Sequence, residues 1–180
     1  MKIGLLLGSF NPIHIGHLVI ANYMAEFTDL DQVWLVVSPH NPLKDKKGLA
    51  DAKKRFGSVK KAIGKNSKIK TSDIEFSLSQ PSYTINTLNC LSKKHPKNKF
   101  VIIIGSDNLN LFHKWKDYKK ILTGYEIYVY PRLSVLKMLA WKAIKNYSNI
   151  KMVDAPRIDI SSTFIREQMK KGKDMRYFLG

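Results

Sequence analysis

The stretch Gly8-Ser9-Phe10-Asn11-Pro12-Ile13-His14-Ile15-Gly16-His17 separates an unbroken apolar run, Ile3–Leu7, from a segment with apolar residues at helical spacing, Leu18–Phe27. An apolar run of that length suits a strand buried on both faces. Two glycines in the intervening loop let backbone approach a ligand closely, and a helix start presents unpaired N–H groups to an anion. Strand, glycine-bearing loop and helix together make the opening unit of a parallel α/β sheet.

Working outward, the same alternation continues along the chain. Val33–Val37, Phe100–Ile104 and Ile127–Tyr130 are further strand-length apolar runs, with Lys68–Phe76 and Ile150–Val153 as weaker strands. Helical patterns cover Ala50–Ile63, Thr84–Lys94, Tyr118–Leu122, Val135–Tyr147 and Thr163–Lys171. The expected fold is therefore α/β: a doubly wound parallel sheet with helices on both faces, one domain over residues 1–180. Ligands of such sheets bind outside the carboxyl ends of the strands. Function is thus expected in Gly8–His17, Ser38–Lys44, Gly105–Trp115, Pro131-Arg132 and Ser161–Arg166.

Composition bounds the rest. Hydrophobic residues at 44% and charged residues at 25% are those of a folded globular protein. The single cysteine, Cys90, excludes an internal disulfide and a cysteine-rich zinc site. No apolar run is long enough for a membrane span, and Met1–Leu7 is too short and wrongly flanked for a signal peptide. A cytoplasmic location is the expectation. The formal net charge of +17 raises nucleic acid as a partner, yet only five of the 31 basic residues are arginine. Lysine is a hydrated point charge that suits any solvated surface, and its spread along the whole chain argues against a nucleic-acid face.

His14 and His17 are three residues apart, so near a helix start they share one face. Two imidazoles beside a positive helix end can donate to phosphate oxygens. A histidine pair alone is also compatible with one capping and one packing residue. No glutamate, cysteine or other acid completes a metal set around them, so no protein-held metal is expected. Towards the other end, Ile160-Ser161-Ser162-Thr163-Phe164-Ile165-Arg166 opens the last helix with good caps. Arg166 in its first turn opposes the helix dipole unless an anion lies there, or unless it swings away to Glu167 or Asp174.

As whole strings these segments say more. The first fills every fixed position of the Gly-x-Phe-x-Pro-x-His-x-Gly-His signature, and the last that of Ile-Ser-Ser-Thr-x-x-Arg. Both resemble the HxGH nucleotidyltransferase superfamily, which has a Rossmann-like fold. Ser38-Pro39-His40-Asn41-Pro42-Leu43-Lys44, Pro81-Ser82-Tyr83-Thr84-Ile85-Asn86-Thr87-Leu88 and Gly105-Ser106-Asp107-Asn108 with Trp115 are similar to strings of one of its families, the nicotinate mononucleotide adenylyltransferases. Lys116 departs from it, standing where several relatives have a second aromatic, and Leu133-Ser134 replaces a frequent Pro-Gly.

The resemblance implies adenylyl transfer from ATP to the 5′-phosphate of nicotinate mononucleotide, in NAD biosynthesis, with Mg2+ arriving on ATP. It implies catalytic roles for His14, His17, Lys44 and Arg166. His17 would act on the α-phosphate, His14 on the nucleotide phosphates, and Lys44 with Arg166 on the β- and γ-phosphates. ATP would be bound by Gly8, Ser9, Phe10, the two histidines, Gly105, Asp107, Ile160, Ser161, Ser162, Thr163 and Arg166. The mononucleotide would meet Ser9, Phe10, Lys44, Thr84, Trp115 and Arg132, with Thr84 and Trp115 at the ring. Acceptors left open are nicotinamide mononucleotide and phosphopantetheine. An RNA-binding module is the reading from a different class.

Overall fold

The computed structural model describes residues 1–43, 47–109, 111–132 and 147–180. Lys44 and Leu133-Ser134 lie outside these, as does the helix expected over 135–147 apart from Tyr147, which is not helical. The strands are β1 (Lys2–Gly8), β2 (Gln32–Val37), β3 (Ile69–Ser72), β4 (Lys99–Gly105), β5 (Glu126–Tyr130) and β6 (Ile150–Met152). Between and after them lie helices α1 (Ile15–Phe27), α2 (Ala52–Ile63), α3 (Thr84–Lys94), α4 (Ser106–Leu109), α5 (Tyr118–Gly124) and α6 (Ser162–Lys170). All neighbouring strands pair in parallel, in the order β3-β2-β1-β4-β5-β6. The order reverses between β1 and β4, which is where a ligand crevice opens in a doubly wound sheet.

The unbroken apolar runs follow from a sheet covered on both faces. Ile3 and Leu5 of β1 join Ile102, Ile104 and Ile127 in one core, closed by Leu88 and Leu91 of α3 and Ile121 of α5. Leu6 points the other way, into a core with Leu35 and Ile103 closed by Ile20 and Met24 of α1 and Val59 of α2. Each such fully buried side chain is worth about 1.5–3 kcal/mol relative to exposure. Two elements differ from expectation. The strand expected over Lys68–Phe76 stops at Ser72, where Asp73 leads into a 3-10 turn, Ile74–Ser77, that buries Ile74 and Glu75. The loop expected after β4 starts with the short helix α4, too brief for a period to show.

The acids at the amino edge of the sheet are neutralised locally. Lys2 Nζ lies 2.7 Å from both Asp29 and Glu126, and Lys99 Nζ is 2.6 Å from Glu126. The carboxyl edge is organised differently. Arg55 of α2 is buried, 3% exposed, and its guanidinium donates to the carbonyls of Ser9 and of Ser38 (2.9 Å) and Pro39 (3.1 Å), while its Nε donates to Ala50 O at 2.8 Å. One side chain thereby pins the loops that follow β1 and β2. Burial pulls its pKa down, with Asp51 working the other way.

Arg55→Met keeps the aliphatic volume but leaves those carbonyls without a donor, and unpaired buried groups cost about 1–3 kcal/mol each. The variant is expected to lose about 2–4 kcal/mol of stability in urea unfolding, against about 0.5 kcal/mol or less for the exposed neighbour Lys53→Met.

Candidate active site

The first signature is shaped by contacts among Gly8, Phe10, His14, Gly16 and His17. Phe10 is buried at φ 45°, a left-handed conformation that costs a bulky residue strain and so points to function. That turn lays its ring against Gly8, where an added Cβ would lie 3.0 Å from the ring, and edge-on to His17 at 5.0 Å between centroids. His14 is the N-cap of α1 and buried, and a Cβ at Gly16 would press within 3.1 Å of its imidazole. The two imidazoles lie 3.7 Å apart, tilted by 32°. The His14 backbone N–H donates to His17 Nδ1 at 3.3 Å, so the neutral His17 carries its proton on Nε2. His14 Nδ1 is buried with no hydrogen-bond partner among the described residues.

The second signature is folded back on the first. Ser161 caps α6 by accepting from the Phe164 N–H at 3.1 Å. Ser162 Oγ donates to Pro12 O at 3.0 Å, and Arg166 donates to Asn11 O at 2.7 Å and to Thr163 Oγ1 at 3.1 Å. Asp174 pairs with Arg176, so the swung-away alternative for Arg166 is not the arrangement adopted. At the end of β5, the Arg132 backbone N–H donates to Ser106 Oγ at 2.9 Å, and its guanidinium meets Ile160 O at 3.1 Å and Asp107 at 3.5 Å.

Two clefts open at this edge. The larger, ≈ 420 Å³, is walled by parts of all five segments expected to carry function. They contribute Gly8, Ser9, Phe10, His14 and His17; His40 and Asn41; Asn108; Arg132; and Ser161, Ser162, Thr163 and Arg166. The smaller, ≈ 210 Å³, is lined by Thr84, Gly105 and Trp115 among others, and shares Gly8, Asn41, Asn108 and Tyr130 with the larger. Gly105, expected at ATP, thus lines the smaller cleft, while Arg132, expected at the mononucleotide, lines the larger. Asp107 and Ile160 line neither and touch the site through Arg132. Sequence reasoning left out Lys47, Tyr130, Glu75 and Tyr83. Lys47 looks like any other lysine, Tyr130 ends a core strand, and Glu75 is buried only because the chain turns at Asp73.

Burial lowers the pKa of His14 to about 4, and the Arg132 charge adds to the effect. Burial likewise pushes Tyr130 up to about 12, so its hydroxyl keeps its proton. The larger cleft is therefore walled by neutral donors and by the cations Lys47, Arg132 and Arg166, a surface made for an anion. Among the described residues no group of three or more His, Cys, Asp or Glu could hold a metal, and no helix is long and apolar enough to cross a membrane.

Comparison with known proteins gives three concordant findings. Residues 5–168 match the cytidylyltransferase-like family model. A relative from Flavobacterium johnsoniae, named a "Probable nicotinate-nucleotide adenylyltransferase", is 52% identical over 99% of this chain and 92% of its own length. One of the same name from Flavobacterium psychrophilum is 53% identical over the same shares. Among solved structures, the nicotinic acid mononucleotide adenylyltransferase of Plasmodium falciparum complexed with NaAD superposes with a TM-score of 0.81. It is 22% identical, over 97% of this chain and 87% of that one, and it shows the shared fold.

The depressed pKa of His14 sets a stability expectation. The folded value, about 4, lies below the unfolded value of about 6.5, so the unfolded chain binds the extra proton between them. The contribution of His14 to stability is fully present above pH 6.5 and is lost as pH falls through 4. Urea midpoints measured across this window should fall less steeply for His14→Gln than for the parent protein.

Proposed function

The chain belongs to the cytidylyltransferase-like family, and within it to the nicotinate-nucleotide adenylyltransferases; we propose that it transfers the adenylyl group of ATP to the 5′-phosphate of nicotinate mononucleotide. The products are nicotinic acid adenine dinucleotide, a step in NAD biosynthesis, and pyrophosphate. The observation that carries the assignment to this site is the pair of clefts meeting at Gly8, Asn108 and Tyr130, the larger cationic and the smaller bearing Trp115. ATP occupies the larger, the pyridine ring the smaller, and the reacting phosphates meet at the shared wall.

The attacking phosphate monoester has a second pKa of about 6 and is largely dianionic at neutral pH, so it needs no general base. Catalysis then rests on alignment and on charge stabilisation at the α-phosphate. His17 donates from Nε2 to the α-phosphate oxygen, the tautomer being set by the His14 N–H. His14, uncharged and with an unpartnered nitrogen, adapts to the triphosphate. Arg166, held by Asn11 O, lines the same cleft and serves the leaving phosphates, a role the family resemblance also gives to Lys44. Because Arg132 lines the larger cleft, this reading gives it to the ATP side as well, in place of the mononucleotide role that the resemblance implies. Ser9, Phe10, Ser161, Ser162 and Thr163 shape the ATP side, Gly105 and Thr84 the acceptor side, and Asp107 and Ile160 hold Arg132. Mg2+ fits as a companion of ATP, neutralising phosphate charge on phosphate and water ligands, because the cleft wall offers donors rather than clustered carboxylates.

The test is pyrophosphate release from ATP and Mg2+ with nicotinate mononucleotide, nicotinamide mononucleotide and phosphopantetheine in parallel. Turnover strongest with the nicotinate acceptor is expected. Equal rates on acid and amide would discard the acceptor assignment, and silence with all three would discard the activity. His17→Ala should lower kcat about 10²–10³-fold with a smaller change in KM, the range for one preorganised donor. Arg166→Ala should act mainly through the KM for ATP.

A further inference from the structure

Lys116 follows Trp115 in the wall of the smaller cleft, with Lys114 on its other side. Although exposed, its chain is not left to wander: the ammonium lies 4.7 Å from the centroid of the Tyr83 ring, and Tyr83 lines the same cleft. A cation over an aromatic face is attracted by about 0.5–1 kcal/mol at exposed sites, enough to bias the side chain across the opening. Tyr83 is also the N-cap of α3, which begins at Thr84 without a side-chain cap and without an acid in its first turn. The helix end and the lysines therefore make this wall positive. Glu75, the one acid that lines the cleft among the described residues, is turned to α3, where its Oε1 accepts from Thr87 at 2.7 Å.

We propose that Lys116 is a specificity-determining residue for the acceptor, pairing with the ring carboxylate of nicotinate mononucleotide and so favouring the acid over the amide. This rests on the acceptor assignment above. The two acceptors share the pyridinium charge, the ribose and the phosphate, and differ only in carboxylate against carboxamide. A positive group at the ring end is thus worth more to the acid by the full charge difference, whereas stacking on Trp115 serves both alike. Tyr83 keeps the ammonium poised in the meantime.

The experiment measures kcat/KM for nicotinate and nicotinamide mononucleotides, at saturating ATP, in the parent protein, Lys116→Met and Lys116→Arg. For Lys116→Met the nicotinate value should drop about tenfold, chiefly through KM, with the amide value changed less than about threefold. Lys116→Arg should keep most of the preference. Raising ionic strength should narrow the acid-to-amide ratio of the parent more than that of Lys116→Met, where Lys114 and the helix end remain. An unchanged ratio in Lys116→Met would overturn the proposal. So would equal losses in the Met and Arg variants, which would trace the effect to packing on Tyr83. A parent protein silent with both acceptors would instead overturn the acceptor assignment, and this inference with it.

Discussion

The buried guanidinium of Arg55 is the constraint on which the catalytic edge depends. Its donors are shared among Ser9, Ser38, Pro39 and Ala50, carbonyls belonging to two loops that have no ladder of their own to satisfy them. A lysine would offer a point charge in place of this planar fork, and could not hold these directions at once. Because Ser9 is tethered, Phe10 is held in its left-handed turn. Because Phe10 is held, its ring fixes the edge of His17. Asn11 extends the same frame, its amide donating to Gly48 O at 3.0 Å and its Oδ1 accepting from Ala50 N at 3.3 Å. The geometry of the histidine pair is thus set by a residue of α2 that lines neither cleft.

The electrostatic layout follows from the same division of labour. Acids at the amino edge of the sheet are paired with Lys2 and Lys99, so they do not weaken the potential at the opposite edge. There Arg132 and Arg166 are held by backbone carbonyls as well as by side chains. A carbonyl fixes a guanidinium without neutralising it, so both stand as cations in the wall of the larger cleft. Arg132 also pairs with Asp107, at 3.5 Å and partly solvated.

Much of this was legible in the sequence, and the physical reason is locality. Buried strands write themselves as apolar runs, so β1, β2, β4 and β5 are found to within a residue or so of their ends. The two signatures carry their spacing along a single stretch of chain. Illegible features are those made by turns or by distance. The burial of Glu75 depends on a 3-10 turn at the end of β3, and α4 is a single turn with no period to read. The reach of Arg166 to Asn11 spans 155 residues, and nothing local distinguishes it from a swing towards Asp174. The division into two clefts is of the same kind, since it is made by the sheet bringing separate loop ends together. That is why the sequence does not tell that Gly105 lines the smaller cleft and Arg132 the larger.

The contacts of Ser162 with Pro12 and Arg166 with Asn11 also have a consequence in time. They join parts of the chain 150 and 155 residues apart, and closing a loop of that length costs entropy before any contact is gained. Pairings of this kind form late in folding, after the local units have taken shape. The backbone bridge between His14 and Leu179 is of the same class. A partly folded chain can therefore hold the helix of its histidine signature while the wall around Ser162 and Arg166 is still open.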